Sequence, residues 1–142
     1  MSFSTELKKE ISELGNLSNK EAVRYELIGY LISSNISEEK NKIKFSTENE
    51  YNINRFSRLL SNMEINNYDI TVQGNLFVIR VNKNMIKDLN IDEDFNLEQV
   101  KWLIRGAYLG SGSINNPERK YHLEIGISKK NNAEKIVEYL KN

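Results

Sequence analysis

The sequence has no cysteine, and only one proline, one histidine and one tryptophan occur among its 142 residues. The lack of cysteine excludes disulfides, thiolate catalysis and cysteine-ligated zinc. No stretch approaches the roughly 18 apolar residues of a membrane span. The opening segment 1–15 is too charged for the apolar region of a signal peptide, so we expect a cytoplasmic protein with no membrane partner.

An excess of charge of either sign is also lacking, because 20 Lys and Arg residues balance 20 Asp and Glu residues. Chain-wide binding of nucleic acid depends on clustered cations that release counterions, so any DNA contact must come from a local surface. The hydrophobic content of 39% keeps a clear periodicity. It is enough for one substantial core with an appended segment, rather than two independently folding domains.

The spacing of the apolar residues predicts an α+β fold. A Ser-x-x-Glu capping box at 18–21 and a second cap formed by Asn96 with Gln99 mark two helix starts. Gly74-Asn75 is typical of a hairpin turn. Helical spacing covers 5–14, 19–33, 51–63, 84–89, 97 into the Gly-rich stretch at 110–112, and 132–140, and strand alternation covers 42–46, 70–72, 77–81 and 121–127.

An internal repeat relates the two parts of the chain. An offset of 78 residues carries Tyr30, Leu31, Ser33 and Ile36 onto residues of the same type, and the strand and helix that follow match in kind and order. We therefore expect two halves, 1–95 and 96–142, each built on a helix-strand-helix unit. The first copy continues into a hairpin and a helix that the second does not reach, so we expect the second half to be incomplete.

Small residues occur at matching places on the two repeated helices. Gly29 with Ser33, and Ala107 with Ser111, are each four residues apart and so lie on one helix face. Such faces let two helix backbones approach closely. The repeats are therefore predicted to dock helix to helix about a pseudo-twofold axis.

This arrangement resembles the LAGLIDADG homing endonucleases, in which two such helices form the central interface and the sheets make a saddle over DNA. The motif counterparts are the segments 27–35 and 105–113. The stretch from Arg105-Gly-Ala-Tyr-Leu to Asn-Pro117, with the opening Met1-Ser-Phe-Ser, resembles more specifically the WhiA family along nearly the whole chain. That resemblance implies a transcriptional regulator whose main DNA contacts come from a helix-turn-helix domain not found in this sequence.

The chemistry of the endonucleases is absent from the motif. Active enzymes place a carboxylate at the end of each central helix, so that two acids hold Mg²⁺ at the scissile phosphate. The corresponding positions here are Ile32, Ser34, Gly110 and Gly112, none of which is a good metal ligand. We expect no enzyme activity, no catalytic residue, no metal and no cofactor.

Five basic residues are candidates for residual DNA contact, because the resemblance places them on the outer face of the sheets. They are Lys42, Lys44, Arg80, Lys120 and His122. Asp69 and Glu124 dilute the positive charge of that face. Weak DNA binding and a merely solvated surface are both open at this stage.

The resemblance thus implies a fragment of a DNA-binding regulator of sporulation, cell division and chromosome segregation, cytoplasmic and nucleoid-associated, with a catalytically inactive scaffold. One alternative is a protein-interaction or assembly domain that never contacts DNA, which suits the neutral charge and would have another regulatory protein as its partner. A second alternative, a divergent Mg²⁺-dependent homing endonuclease, requires cleavage that no residue in the sequence explains.

Overall fold

The computed structural model describes residues 3–13, 17–90, 96–114 and 123–141. Its elements follow in chain order. They are α1 (Phe3–Glu13), α2 (Lys20–Ile32), β1 (Ile36–Glu39), β2 (Lys42–Thr47), α3 (Glu50–Asn62), β3 (Tyr68–Gln73), β4 (Leu76–Asn82), a single 3₁₀ turn (Lys83–Met85), α4 (Leu97–Ser111), β5 (Gly112–Ile114), β6 (Leu123–Ile125) and α5 (Lys130–Lys141).

The first half carries a four-stranded antiparallel sheet in the order β1-β2-β4-β3. The alternation in β2 and β4 puts Ile43 opposite Val81 and Phe45 opposite Ile79, all with their side chains on the core face. Gly74 adopts φ +63 in the β3–β4 turn, the left-handed conformation that glycine reaches without strain. The hairpin predicted around Gly74-Asn75 is therefore confirmed.

The main core lies between this sheet and the helices α2 and α3. Tyr30, Phe45 and Phe56 are fully buried and pack ring against ring, with centroid separations of 4.8 to 5.3 Å. Aromatic rings in such edge and stacked arrangements contribute beyond the area they bury. These three rings fix how α2 and α3 sit on the sheet.

The second half is smaller. Its strands β5 and β6 form an antiparallel pair, with Gly112 opposite Ile125, and α5 follows. A single antiparallel bridge between Ser33 and Ile127 connects this pair to the end of α2. Helix, small antiparallel sheet and helix thus recur in the two halves, as the α+β, LAGLIDADG-like prediction required.

Several sequence-based boundaries are wrong. Asn19, not Ser18, caps α2, because its side-chain oxygen accepts from the amides of Glu21 and Ala22, both at 3.1 Å. The helix predicted over 84–89 is only one 3₁₀ turn. Of the strand predicted over 121–127, the structure shows β6 at 123–125, and residues 121–122 lie outside the described residues. The strands β1 and β5 were not predicted.

Candidate functional site

The two repeated helices, α2 and α4, pack directly against each other through small residues. A Cβ on Gly29 would overlap the carbonyl oxygen of Leu103 and the amide of Ala107, and one on Gly106 would overlap the carbonyl of Glu26. Such contacts leave no room for any side chain, so glycine sets the helix separation. Gly29 and Ala107, named from the repeat, lie at this contact, whereas the role of Gly106 was missed because its counterpart in the first copy is Ile28.

The C-terminal ends of α2 and α4 lie next to each other. Helix α2 ends at Ile32 with Ser33 as its C-cap, and α4 ends at Ser111 with Gly112 as its C-cap. Ser33 and Gly110 are in contact, since a Cβ on Gly110 would come within 2.5 Å of the Ser33 hydroxyl. We call this region, residues 32–35, 110–112 and 126–128, the helix-end junction.

Main-chain groups and hydroxyls fill the helix-end junction. The Ser34 amide donates to the Gly126 carbonyl at 2.9 Å and to the Ser111 hydroxyl at 3.3 Å. The Ser128 amide and hydroxyl both donate to the Ile32 carbonyl, at 2.9 and 3.1 Å. The end of α2 and the segment 126–128 after β6 are thereby held together by groups that carry no charge.

Two asparagines satisfy the free carbonyls at the end of α4. Asn35 donates from Nδ2 to the Gly110 carbonyl and Asn52 donates to the Leu109 carbonyl, both at 2.6 Å. The Tyr30 hydroxyl in turn donates to the Asn52 side-chain oxygen. Helix ends leave carbonyls without intrahelical partners, and a buried one without a partner is costly. Neither asparagine was singled out in the sequence, where an isolated Asn on α3 gives no signal of its function.

The four positions where the endonucleases carry acids do not fit a magnesium site. Ile32 and Gly110 are buried, Gly112 is the α4 C-cap, and Ser34 is exposed with a hydroxyl side chain. Mg²⁺ requires hard oxygen ligands in near-octahedral geometry, usually including a carboxylate. Among the described residues, no group of three or more His, Cys, Asp or Glu side chains is placed to hold a metal ion.

A buried ionic cluster lies one to two turns before the junction. Glu26 is 1% exposed and accepts a two-pronged pair of hydrogen bonds from Arg55, at 2.7 and 2.9 Å. Arg105 Nε lies 2.8 Å from Glu26 Oε1, the oxygen that also accepts from Arg55 Nη2, as an ion pair without the direction of a hydrogen bond. Desolvation opposes the charge of Arg55, but the contact with Glu26 outweighs it and raises the pKa of Arg55.

The cluster joins four helices. Glu26 belongs to α2, Arg55 to α3 and Arg105 to α4, and Arg55 also donates to the Ser12 carbonyl of α1 at 3.2 Å. Glu26 is too deep in the fold to serve the helix ends as a metal ligand. Its sequence signal was a carboxylate directly before the apolar run 27–32 of α2, which predicts a buried partner only once the fold is known.

Three of the five candidate DNA-contact residues are described, and all three make ion pairs within the sheet. Arg80 contacts Glu39 at 3.0 Å, Lys44 contacts Glu39 at 3.7 Å, and Lys42 contacts Asp69 at 3.7 Å. The hydrogen bond from Arg80 lowers the pKa of Glu39, which keeps the carboxylate charged. We call this surface the outer sheet face. Lys120 and His122 lie outside the described residues.

The chain is similar in sequence to proteins of one named family. A family model described as the WhiA LAGLIDADG-like domain matches residues 100–142. A "Probable cell division protein WhiA" of Clostridium tetani is 26% identical over 99% of this chain and 54% of its own length. One of Bacillus mycoides is 30% identical over 99% of this chain and 52% of its own length.

Solved structures agree in fold. The N-terminal LAGLIDADG domain of DUF199/WhiA aligns with a TM-score of 0.83 at 22% identity, covering 99% of this chain and 73% of that one. Full-length DUF199/WhiA from Thermatoga maritima aligns with a TM-score of 0.77 at 21% identity, covering 99% of this chain and 50% of that one.

The paired central helices and their flanking sheets define the class of protein, a LAGLIDADG-like domain. Within that class the chain is similar over 99% of its length to the N-terminal part of proteins named WhiA, and the resemblance predicted from the sequence is confirmed. The chain spans about half the length of the curated relatives it matches. Among the described residues, no helix is both long enough and apolar enough to cross a membrane.

Proposed function

We propose that this chain is the docking module of a WhiA-type regulator and that it has lost the nuclease activity of the LAGLIDADG scaffold. The module binds DNA through the outer sheet face and leaves the phosphodiester backbone intact. The observation that carries the proposal is the helix-end junction, where hydroxyls, an isoleucine and glycine backbone occupy the place of the metal-binding acids.

The finer parts of the proposal have two sources. The printed names of the relatives assign those proteins to cell division, and we extend that role to this chain. Transcription control in sporulation, a role in chromosome segregation and a location on the nucleoid come from the resemblance of the sequence to the WhiA family. In this proposal the principal DNA contacts belong to a helix-turn-helix domain elsewhere in the regulator. The present module adds affinity or contacts a second regulatory protein.

Electrostatics limit the affinity that this module can supply alone. The described part of the outer sheet face has three cations, but Glu39 and Asp69 offset two of them. Affinity for DNA rises steeply with the number of phosphates neutralised. We therefore expect weak binding that disappears at moderate salt.

The first experiment titrates labelled duplex DNA with the purified chain at about 50 and about 200 mM salt, with Mg²⁺ present, and resolves the products on a denaturing gel. We expect full-length DNA at all protein concentrations. The binding arm compares Lys42→Gln/Lys44→Gln with the charge-matched control Lys9→Gln/Lys101→Gln, whose lysines are exposed on α1 and α4.

Each arm has an outcome that contradicts its part of the proposal. Mg²⁺-dependent cleavage products would show that a nuclease site survives. Equal loss of binding in the two double variants would show that the outer sheet face is not the contact. No binding at either salt concentration would instead favour the protein-interaction alternative.

A further inference from the structure

A second surface of the chain has the composition of a ligand site. A groove of about 570 Å³ lies between the two halves, lined on one side by β1, β2 and the segment after β4, and on the other by the start of α5. Pockets that hold small ligands have volumes of about 300–1,000 Å³ and commonly occur between structural units. This groove is separate from the outer sheet face, and the conclusions drawn above do not account for it.

The rim of the groove is strongly basic. Four lysines line it, and Glu38 is the one acidic residue among its described lining residues, so the formal excess is three positive charges in a chain of zero net charge. The lysines are Lys83, Lys87, Lys129 and Lys135. Glu38 lies 3.3 Å from the Lys83 ammonium, which leaves the other three lysines to attract a ligand.

The floor of the groove is apolar. It includes Ile32 and Leu31 at the end of α2, Ile36 and Ile43 of the sheet, and Leu89. Ile32 is one of the four motif positions that carry acids in the endonucleases, and here it lines the groove with a hydrocarbon side chain that is 7% exposed. The loss of the acid at this position thus creates a surface on which an uncharged ring can pack.

Three asparagines, Asn90, Asn131 and Asn132, are also among the lining residues. Asn90 Nδ2 donates to the Lys87 carbonyl and Asn131 Oδ1 accepts from the Asn132 amide, which leaves the remaining amide groups for a ligand. The first turn of α5 has no acidic residue. The positive end of the helix dipole therefore adds to the lysine charge at the same place. The apolar residues, amide groups and lysines of the groove suit, respectively, the ring, the polar edge and the phosphate chain of one ligand.

We propose that the groove binds a free nucleotide. Its base would pack on Ile32 and Ile36, and its phosphates would contact Lys87, Lys129 and Lys135. A duplex presents its phosphates on a broad convex surface and cannot place a base on this floor, so a mononucleotide fits the shape better than DNA does. Binding there would join the two halves of the fold, because Lys87 belongs to the first half and Lys129 and Lys135 belong to the second.

Isothermal titration of the chain with ATP tests the proposal, with adenosine and tripolyphosphate as separate probes of ring and phosphates. We expect saturable one-to-one binding of ATP and binding at least about tenfold weaker for either part alone. Lys87→Gln/Lys135→Gln should weaken ATP binding about tenfold or more, because each lost ammonium removes a charge-assisted hydrogen bond. Lys9→Gln/Lys101→Gln, which changes the net charge equally, should leave it unchanged.

Three results would overturn this assignment. They are the absence of saturable ATP binding, equal weakening in the two double variants, and tripolyphosphate binding as tight as ATP, which would reduce the site to a cluster of surface charge. A short duplex that binds through Lys87 and Lys135 while ATP does not would replace the nucleotide with a DNA backbone contact. Thermal unfolding of each variant without ligand checks that the groove remains folded.

Discussion

Glu26 is a charged residue on which the stability of the fold depends strongly. Its carboxylate is the shared partner of two arginines, and its side chain is 1% exposed. Buried ion clusters stabilise little compared with apolar packing of the same shape, but removal of one partner leaves an uncompensated buried charge. The cluster therefore matters more for the penalty of breaking it than for the energy it adds.

Glu26→Gln should lower the free energy of unfolding by about 3–5 kcal/mol, because the buried Arg55 would lose the carboxylate that accepts two of its hydrogen bonds. Urea unfolding followed by circular dichroism measures the change. The matched control is Glu10→Gln on the exposed side of α1, which should change stability by no more than about 0.5 kcal/mol. A loss below about 1 kcal/mol for Glu26→Gln would contradict the cluster.

The buried Tyr30 phenol makes the stability of the chain depend on pH in the alkaline range. Burial, with the nearby Glu26 charge, raises the pKa of Tyr30 well above the usual value of about 10 for a tyrosine phenol. In the unfolded chain the phenol ionises at about 10, whereas in the folded chain it keeps its proton, so unfolding releases a proton above that pH. The stability that the protonated Tyr30 contributes to the folded chain is fully present below pH about 10 and is lost as the pH rises further.

Unfolding measured between pH about 8 and about 11 should therefore show stability falling at the alkaline end. Tyr30→Phe should flatten this decrease, although its stability near neutral pH should be about 1 kcal/mol lower, because Asn52 loses a hydrogen-bond donor. The other six tyrosines serve as internal controls, since any slope that remains in the variant belongs to them or to other groups. Identical slopes in the two proteins would exclude Tyr30 as the cause.

At the scale of elements, the α2–α4 pair depends on glycine at its closest approach. Ala normally stabilises a helix interior by about 1 kcal/mol relative to Gly. At Gly106, however, the added methyl group would overlap the Glu26 carbonyl, which is backbone and cannot swing away. Strain of this kind costs about 1–3 kcal/mol or more, so the steric overlap outweighs the gain in helix propensity.

Gly106→Ala should consequently destabilise the chain by about 2 kcal/mol, measured by the urea midpoint. Lys101→Ala, an exposed position on the same helix, controls for helix propensity and should be neutral or slightly stabilising. If Gly106→Ala raised the midpoint, the two helices would be farther apart than this packing requires.

Sequence reasoning succeeded for elements whose signal is local. The Asn96–Gln99 capping box forms with both reciprocal hydrogen bonds, at 2.9 and 3.0 Å, because both partners lie within one helical turn. It failed for β1, whose sequence Ile-Ser-Glu-Glu has no apolar alternation. That strand exists because β2 offers an unpaired edge, and the pairing of Ile36 with Phe45 is a long-range choice.

At the scale of the whole molecule, charge distribution controls any contact with nucleic acid. The outer sheet face holds Lys42, Lys44 and Arg80, and it also holds the two acids that pair with them. The sequence predicted the cations and Asp69 as a diluting charge, but it did not predict Glu39, which lies on the strand that was missed.

Glu39→Gln/Asp69→Asn should increase the affinity for duplex DNA and make its dependence on salt steeper, because two more cations become available to phosphates. The logarithmic salt slope should become more negative by up to about 1.8 if both new contacts form. Fluorescence anisotropy at several salt concentrations measures the slope. Glu6→Gln/Glu10→Gln on α1 makes the same change in net charge elsewhere, and an equal response from it would mean that only total charge matters.

The sequence by itself determined the duplicated plan, the hairpin at Gly74, the helix capped by Asn96 and the absence of acids at Ile32, Ser34, Gly110 and Gly112. These follow from composition, local periodicity and identity, which need no knowledge of distant contacts. Only the tertiary structure decided the Glu26 cluster, the asparagines at the end of α4, the pairing of acids with the outer sheet cations and the lysine groove. Each of these brings together side chains that are far apart in the sequence, and the backbone path alone sets the distances between their charges and hydrogen-bonding groups.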